Sequence, residues 1–380
     1  MIFTNARVAF PDGIWEGFDV VCDLGRISEI RPTGSLSTGE SIDLDGNYLA
    51  PGFIDLHLHG AIGRDTMEAT PDAFRAVCDY HASGGTTSLL LTTATAPIAD
   101  IVAVLRAVRT CRVDFPQIAG VHVEGPFISR ERAGAQRAEF IMNPEPAAVA
   151  ELLEYSDVIK RVTLAPELPG ALDAIDRFCA TGIEVSGGHS NAWDEEARRG
   201  FEHGLRHTTH TFNCMSSMRR RGGERVAGLL EYALSEPEIM CELIADGRHV
   251  ARTLMKMLYR AKGAAGICLV TDATAGAGLP EGSAFELGGR DCIVSEGACW
   301  LSDRSALAGS AARMIDLIRV MVESVGVSLH EAIGMATANP ARALGVSTKG
   351  TLAVGADADL VVLSPGLEVL QTFVAGKRVV

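Results

Sequence analysis

Between residues 52 and 272 the sequence repeats one arrangement eight times: a short apolar run, bounded by turn residues, that closes on polar side chains. The runs are 52–59, 86–93, 118–124, 162–166, 184–189, 207–212, 241–246 and 267–272, and amphipathic stretches of helix length, such as 74–83, 98–109, 171–181, 194–203 and 250–262, lie between most of them. Runs this short and this apolar are the pattern of strands buried on both faces of a parallel sheet. Repeated βαβ units impose parallel pairing with right-handed crossovers, and eight of them close most simply into a barrel. The expected fold is therefore α/β: a TIM-type (β/α)8 barrel over residues 51–346.

The flanks read differently. In residues 1–50, Val20-Val21-Cys22 and Ile27-Ser28-Glu29-Ile30 alternate around the turn Asp23-Leu24-Gly25-Arg26; in 347–380, Asp359 to Leu363 and a turn at Ala375-Gly376-Lys377 repeat the pattern. Neither flank has strand enough to bury a core alone, so the two are expected to pair as a small β-sandwich domain built from both chain termini.

Composition narrows the partners. Forty-eight acidic against 34 basic residues give a formal charge of −14, which disfavours nucleic acid and anionic membrane. Nine cysteines without a C-x-x-C pair suggest neither a disulfide framework nor a thiolate zinc site, and fit a reducing, cytoplasmic location. The first ten residues lack an apolar signal core, and the uncharged stretch 82–99 is broken by Gly84, Gly85 and Pro97, so no secretory signal and no membrane span are expected.

In such a barrel the active site lies at the C-terminal ends of the strands. There the sequence places His57 and His59, Glu124, His189, His210 and Asp272. A spacing of two puts His57 and His59 on one face of a strand, within reach of one ion. Joined to Glu124, His189 and His210, they make a nitrogen and oxygen donor set without thiolate, which suits zinc, iron or manganese. Asp272 ends an apolar run, where an unpaired carboxylate is costly, and beside an ion it is the natural general base for an attacking water. His249, after strand seven, is placed to polarise a carbonyl oxygen. No G-x-S-x-G elbow, Walker loop, dinucleotide fingerprint or H-E-x-x-H occurs, and Gly276-Ala277-Gly278 reads as a flexible βα loop.

Several segments together resemble the N-acetylglucosamine-6-phosphate deacetylase family of metal-dependent amidohydrolases: Ala50-Pro51-Gly52-Phe53-Ile54-Asp55 leading into His57 and His59, His122-Val123-Glu124-Gly125-Pro126-Phe127, Gly188-His189-Ser190-Asn191-Ala192, His210-Thr211-Phe212-Asn213, Asp246-Gly247-Arg248-His249 and Val270-Thr271-Asp272-Ala273. The resemblance implies a principal metal on Glu124, His189 and His210, with His57 and His59 free to hold a second. It also implies Asp272 as general base and later proton donor to the leaving amine, His249 at the acetamide carbonyl, and Asn213 with the Cys214 amide on the phosphate side of the sugar. A small-molecule amino sugar substrate and a homodimer, whose phosphate contacts cross the subunit boundary, follow from the same likeness. The related branch with a carbamylated lysine is disfavoured, because Lys160 lies at the opposite barrel mouth.

Two departures bear on specificity. In Arg132-Ala133-Gly134-Ala135-Gln136, Gln136 stands where the family carries a histidine expected to reach the phosphate of a neighbouring subunit's sugar; Gly134 belongs to the same substrate-facing run. The family's phosphate-binding arginine segment is replaced by Arg219-Arg220-Arg221-Gly222-Gly223-Glu224-Arg225. Arg220 or Arg221 would then bind phosphate bidentately through a reshaped loop. Otherwise these arginines are a solvated loop, and the substrate is an unphosphorylated N-acetylhexosamine such as N-acetylgalactosamine, or another N-acyl compound.

Overall fold

The computed structural model describes residues 1–34 and 39–380. The eight runs form one eight-stranded parallel sheet in sequence order: β1 (Phe53–Leu58), β2 (Thr86–Thr93), β3 (Ile118–Glu124), β4 (Ile159–Leu164), β5 (Glu184–Gly187), β6 (His207–Thr208), β7 (Met240–Leu243) and β8 (Ile267–Leu269). Beyond β8 the chain meets β1 again: the Asp272 amide donates to the His57 carbonyl at 2.8 Å and the His59 amide to the Ala273 carbonyl at 2.7 Å. That closes the barrel.

Strands five, six and eight are shorter than their apolar runs for a local reason. Two to three residues past the ends of these ladders, His189, His210 and Asp272 adopt left-handed backbone, with φ of +45°, +31° and +48°, which is incompatible with extending the strand through the mouth. β4 instead starts earlier than expected, at Ile159, leaving Lys160 at the N-terminal end of the barrel with its Nζ on the Asp157 carbonyl. The crossover helices follow their amphipathic patterns; Pro71–Ala82, for example, opens with proline in its first turn under a Thr70 side-chain cap.

Both termini build the second body. One sheet is N-terminal (Arg26–Pro32, Phe18–Asp23, Ile2–Thr4, Ser41–Asp43); the other interleaves C-terminal strands (Lys377–Arg378, Val369–Val374, Leu360–Leu363) with Tyr48–Pro51, Arg7–Phe10 and Gly13–Trp15. Between them Phe3, Val20, Ile27, Leu49, Leu360 and Phe373 are buried, with Phe3 and Phe373 edge to face at 5.1 Å. The outer face of the mixed sheet sets Val361 and Leu363 against Ile315, Ile318 and Ile333 of the barrel's last helices.

Two features depart from the expected pattern. A three-stranded sheet (Ala284–Leu287, Arg290–Ser295, Ala298–Leu301) is inserted after β8, and it packs the glycine run tightly: a Cβ on Gly276 would lie 2.6 Å from both Cys299 Sγ and the Phe285 ring, so this is a packed corner and not a flexible loop. The barrel interior is also partly ionic, with Asp55, His57, His122, Arg161 and Glu242 fully buried. All nine cysteines are free thiols. Among the described residues no helix is long and apolar enough to cross a membrane.

Candidate metal centre

Five strand ends deliver their polar residues to one buried point. His57 and His59 leave β1 on the same face, with their Nε2 atoms 3.3 Å apart. Glu124, from the end of β3, lies between two groups of imidazoles: its Oε1 is 3.2 Å from Nε2 of both His189 and His210, and its Oε2 is 3.3 Å from His59 Nε2. Two triads result, Glu124 with His189 and His210, and Glu124 with His57 and His59, each with ligand atoms within 4.8 Å of one another.

The surroundings aim these rings. His189 Nδ1 lies 2.8 Å from the Arg132 carbonyl, which as an acceptor requires the hydrogen on Nδ1 and leaves Nε2 free toward Glu124. His57 Nδ1 faces Glu242 Oε2 at 3.3 Å in the same manner. Asp272 Oδ1 lies 3.3 Å from His59 Nε2 and 3.5 Å from His57 Nε2. Burial pushes the Asp272 carboxyl up, but the adjoining imidazoles of His57 and His59 outweigh it and hold the group below the usual carboxylate range. Against burial, which lowers it, contacts with Asp272 and Glu124 raise His59 to about 9. A cluster that draws positive charge this strongly, through convergent nitrogen and carboxylate oxygen lone pairs, fits a divalent cation.

Above the cluster is a chamber of about 240 Å³. His249 lines it, with Nδ1 held by Asp246 Oδ2 at 2.7 Å; burial lowers its pKa, but the Asp246 contact reverses the shift and raises it above the ordinary value. Asn213 and Cys214 also line the chamber, and Gly134 packs against Cys214: it has φ +58°, and a Cβ there would lie 2.5 Å from Cys214 Sγ, so the position favours glycine. Leu287, from the inserted sheet, and Leu307 supply an apolar wall that the sequence reading did not foresee.

Gln136 lines the chamber, with its Nε2 donating to Glu124 Oε2 at 2.6 Å and its Oε1 accepting the Thr95 amide at 2.7 Å. Two expected positions are corrected. Arg220 and Arg221 do not enter the chamber. They lie on an exposed hairpin (Arg219–Arg221, Glu224–Val226), where Arg221 pairs with Glu195 at 2.6 Å and stacks over Trp193 at 4.4 Å. No lysine or arginine occurs among the described residues that line the chamber. Glu242 and Arg161 were missed; the available signal was a carboxylate in the middle of the apolar run Met240-Cys241-Glu242-Leu243.

Comparison with known proteins agrees with this geometry. The Amidohydrolase family profile matches residues 48–379. The chain is 35% identical to N-acetylglucosamine-6-phosphate deacetylase of Lysinibacillus sphaericus, over 99% of this chain and 97% of the relative. Its fold superposes with a TM-score of 0.94 on N-acetylglucosamine-6-phosphate deacetylase from Pasteurella multocida, at 33% identity over 99% and 98% of the two chains. A variant of the Mycobacterium smegmatis deacetylase, solved in complex with N-acetyl-D-glucosamine-6-phosphate, gives 0.93 at 30% identity over 100% and 99%. A barrel whose strand ends gather this donor set, matched along nearly its whole length, places the chain in one group: it belongs to the amidohydrolase family.

Proposed function

We propose that the chain hydrolyses the acetamide of N-acetylglucosamine 6-phosphate, or of a close N-acetylhexosamine 6-phosphate, to acetate and the amino sugar phosphate. The observation that carries this reading is the convergence of Glu124, four histidines and Asp272 on one buried point under a monosaccharide-sized chamber, in a chain similar from end to end to deacetylases. Glu124, His189 and His210 would hold one divalent ion, and His57 and His59 with Glu124 a second; zinc suits the donors best, with iron or manganese as alternatives. When bound, such an ion supplies Lewis acidity, lowering the pKa of water toward about 7 and polarising the amide carbonyl.

The chain's own groups do the rest. Asp272, held ionised, takes the proton of the attacking water and returns it to the departing nitrogen. His249, fixed by Asp246 through Nδ1 and held by that carboxylate as the doubly protonated imidazolium, presents Nε2–H to the acyl oxygen as charge develops there. Asn213 and the Cys214 amide face the sugar, and Leu287 and Leu307, also lining the chamber, exclude water. Because no lysine or arginine occurs among the described residues that line the chamber, the phosphate takes its cation from a second copy of the chain in a cytoplasmic homodimer.

That same lack of a basic lining residue favours a second reading, in which the substrate is an unphosphorylated N-acetylhexosamine. Acetate release from N-acetylglucosamine 6-phosphate, N-acetylglucosamine and N-acetylgalactosamine, with enzyme reconstituted in zinc, iron or manganese, separates the two. Preference for the phosphate is the expected result. Faster turnover of a free sugar replaces the first reading with the second, and no acetate from any of them ends both.

A further inference from the structure

Beneath the metal centre the barrel axis carries a charged pair for which the hydrolysis above has no use. Arg161 on β4 and Glu242 on β7 are fully buried, where barrels of this kind are ordinarily filled by branched apolar side chains. Arg161 donates through one terminal nitrogen to Glu242 Oε1 and through the other to Glu184 Oε2 at 2.9 Å. The second oxygen of Glu242, Oε2, turns toward the site: it lies 3.3 Å from His57 Nδ1 and accepts the backbone N–H of His210 at 3.2 Å. One carboxylate therefore touches a member of each ion-binding triad.

The contact selects a tautomer. An ionised carboxylate only accepts, so His57 Nδ1 carries the hydrogen, and the neutral ring keeps its lone pair on Nε2, which faces Glu124 Oε1 at 3.5 Å. We propose that Glu242, locked by Arg161, is a positioning residue that commits His57 to Nε2 as its donor atom and so governs the ion held by His57, His59 and Glu124. The inference rests on the ion-binding reading of that triad.

Arg161 decides which way an amide at this position would point. In Glu242→Gln the charged guanidinium outcompetes the neutral His210 N–H for the amide oxygen, and the NH2 group faces His57 and that N–H. Nδ1 must then accept, the hydrogen moves to Nε2 and the lone pair is lost from the ligand side. In Arg161→Met/Glu242→Gln that constraint is gone and the amide turns its oxygen back to His57. Arg161→Met/Glu242→Met keeps an uncharged, filled interior with no acceptor at all.

Zinc titrated into the metal-stripped full-length chain, with stoichiometry from elemental analysis, affinity from chelator competition and thermal unfolding in parallel, tests the proposal. The wild type is expected to bind two equivalents. In Glu242→Gln the second is weakened by about 10- to 100-fold, the range for loss of a group that orients a metal ligand, while the first is retained. The Arg161→Met/Glu242→Gln chain regains the second ion and the Arg161→Met/Glu242→Met chain does not. If Glu242→Gln fails to fold, the two uncharged double variants carry the comparison. Equal zinc binding by both double variants, or wild-type binding by Glu242→Gln, overturns the proposal. A wild type that takes only one equivalent shows instead that the triad reading has failed, and the proposal falls with it.

Discussion

Asp272 carries the clearest expectation at the scale of single residues. Its backbone φ of +48° is one that asparagine tolerates, so Asp272→Asn should fold normally and keep its metal while losing the proton acceptor. A fall in kcat of about 10²- to 10⁴-fold, at unchanged metal content, is expected from steady-state assays and elemental analysis. Gln136 is held beside the metal centre: because its amide is spent on Glu124 and Thr95, Gln136→Met should weaken ion binding by about 10-fold or more and leave the ratio of activities on phosphorylated and free sugar unchanged. His81 lies away from the chemistry, wholly buried, its Nε2 3.3 Å from the Gly60 carbonyl. Burial lowers its pKa from 6.5 to about 4, so between these values the unfolded chain binds the proton and the folded one does not. Its share of stability is full above pH 6.5 and is lost as the pH falls toward about 4, a change of about 3 kcal/mol. Urea unfolding across that window should show a flatter profile for His81→Gln than for the wild type.

Among the elements, what was legible in the sequence and what was not divides by the range of the forces involved. The strands β2 and β3 begin and end at the residues their apolar runs predicted, because a buried strand is set by its own composition and by the turns beside it. The pairing of His57 with His59 needed only the two-residue period of a strand. Loops carry no such period. Gln136 follows Gly134, whose left-handed backbone turns the segment back under the mouth, and Arg221 is drawn outward by Glu195 and Trp193, neighbours brought from another βα unit. Glu242 was not legible in its apolar run because its partner Arg161 is three strands away in the sheet. The arginine hairpin allows an expectation of its own. Arg221→Ala breaks an exposed, solvent-screened ion pair, so the thermal midpoint should scarcely move, and a loss of phosphate preference in that variant would trace to contacts made by the hairpin itself.

For the molecule as a whole, the sandwich and barrel are joined through the mixed sheet, and Lys349 braces that sheet from the loop before Leu360–Leu363. It pairs with Asp359, which is buried, and with Asp357 at 3.3 Å. Lys349→Met would leave a buried carboxylate without its cation and should cost about 3 kcal/mol in denaturant unfolding, with kcat on the amide unchanged because the strand ends are untouched. The same sheet has a consequence in time. Tyr48–Pro51 hydrogen-bonds to Leu360–Leu363, so its partner strand leaves the ribosome about 300 residues later, a delay on the order of twenty seconds to a minute at the usual rate of synthesis. For most of that interval the barrel strands are themselves being made, and the early strands wait with an open edge that nascent-chain chaperones are suited to cover.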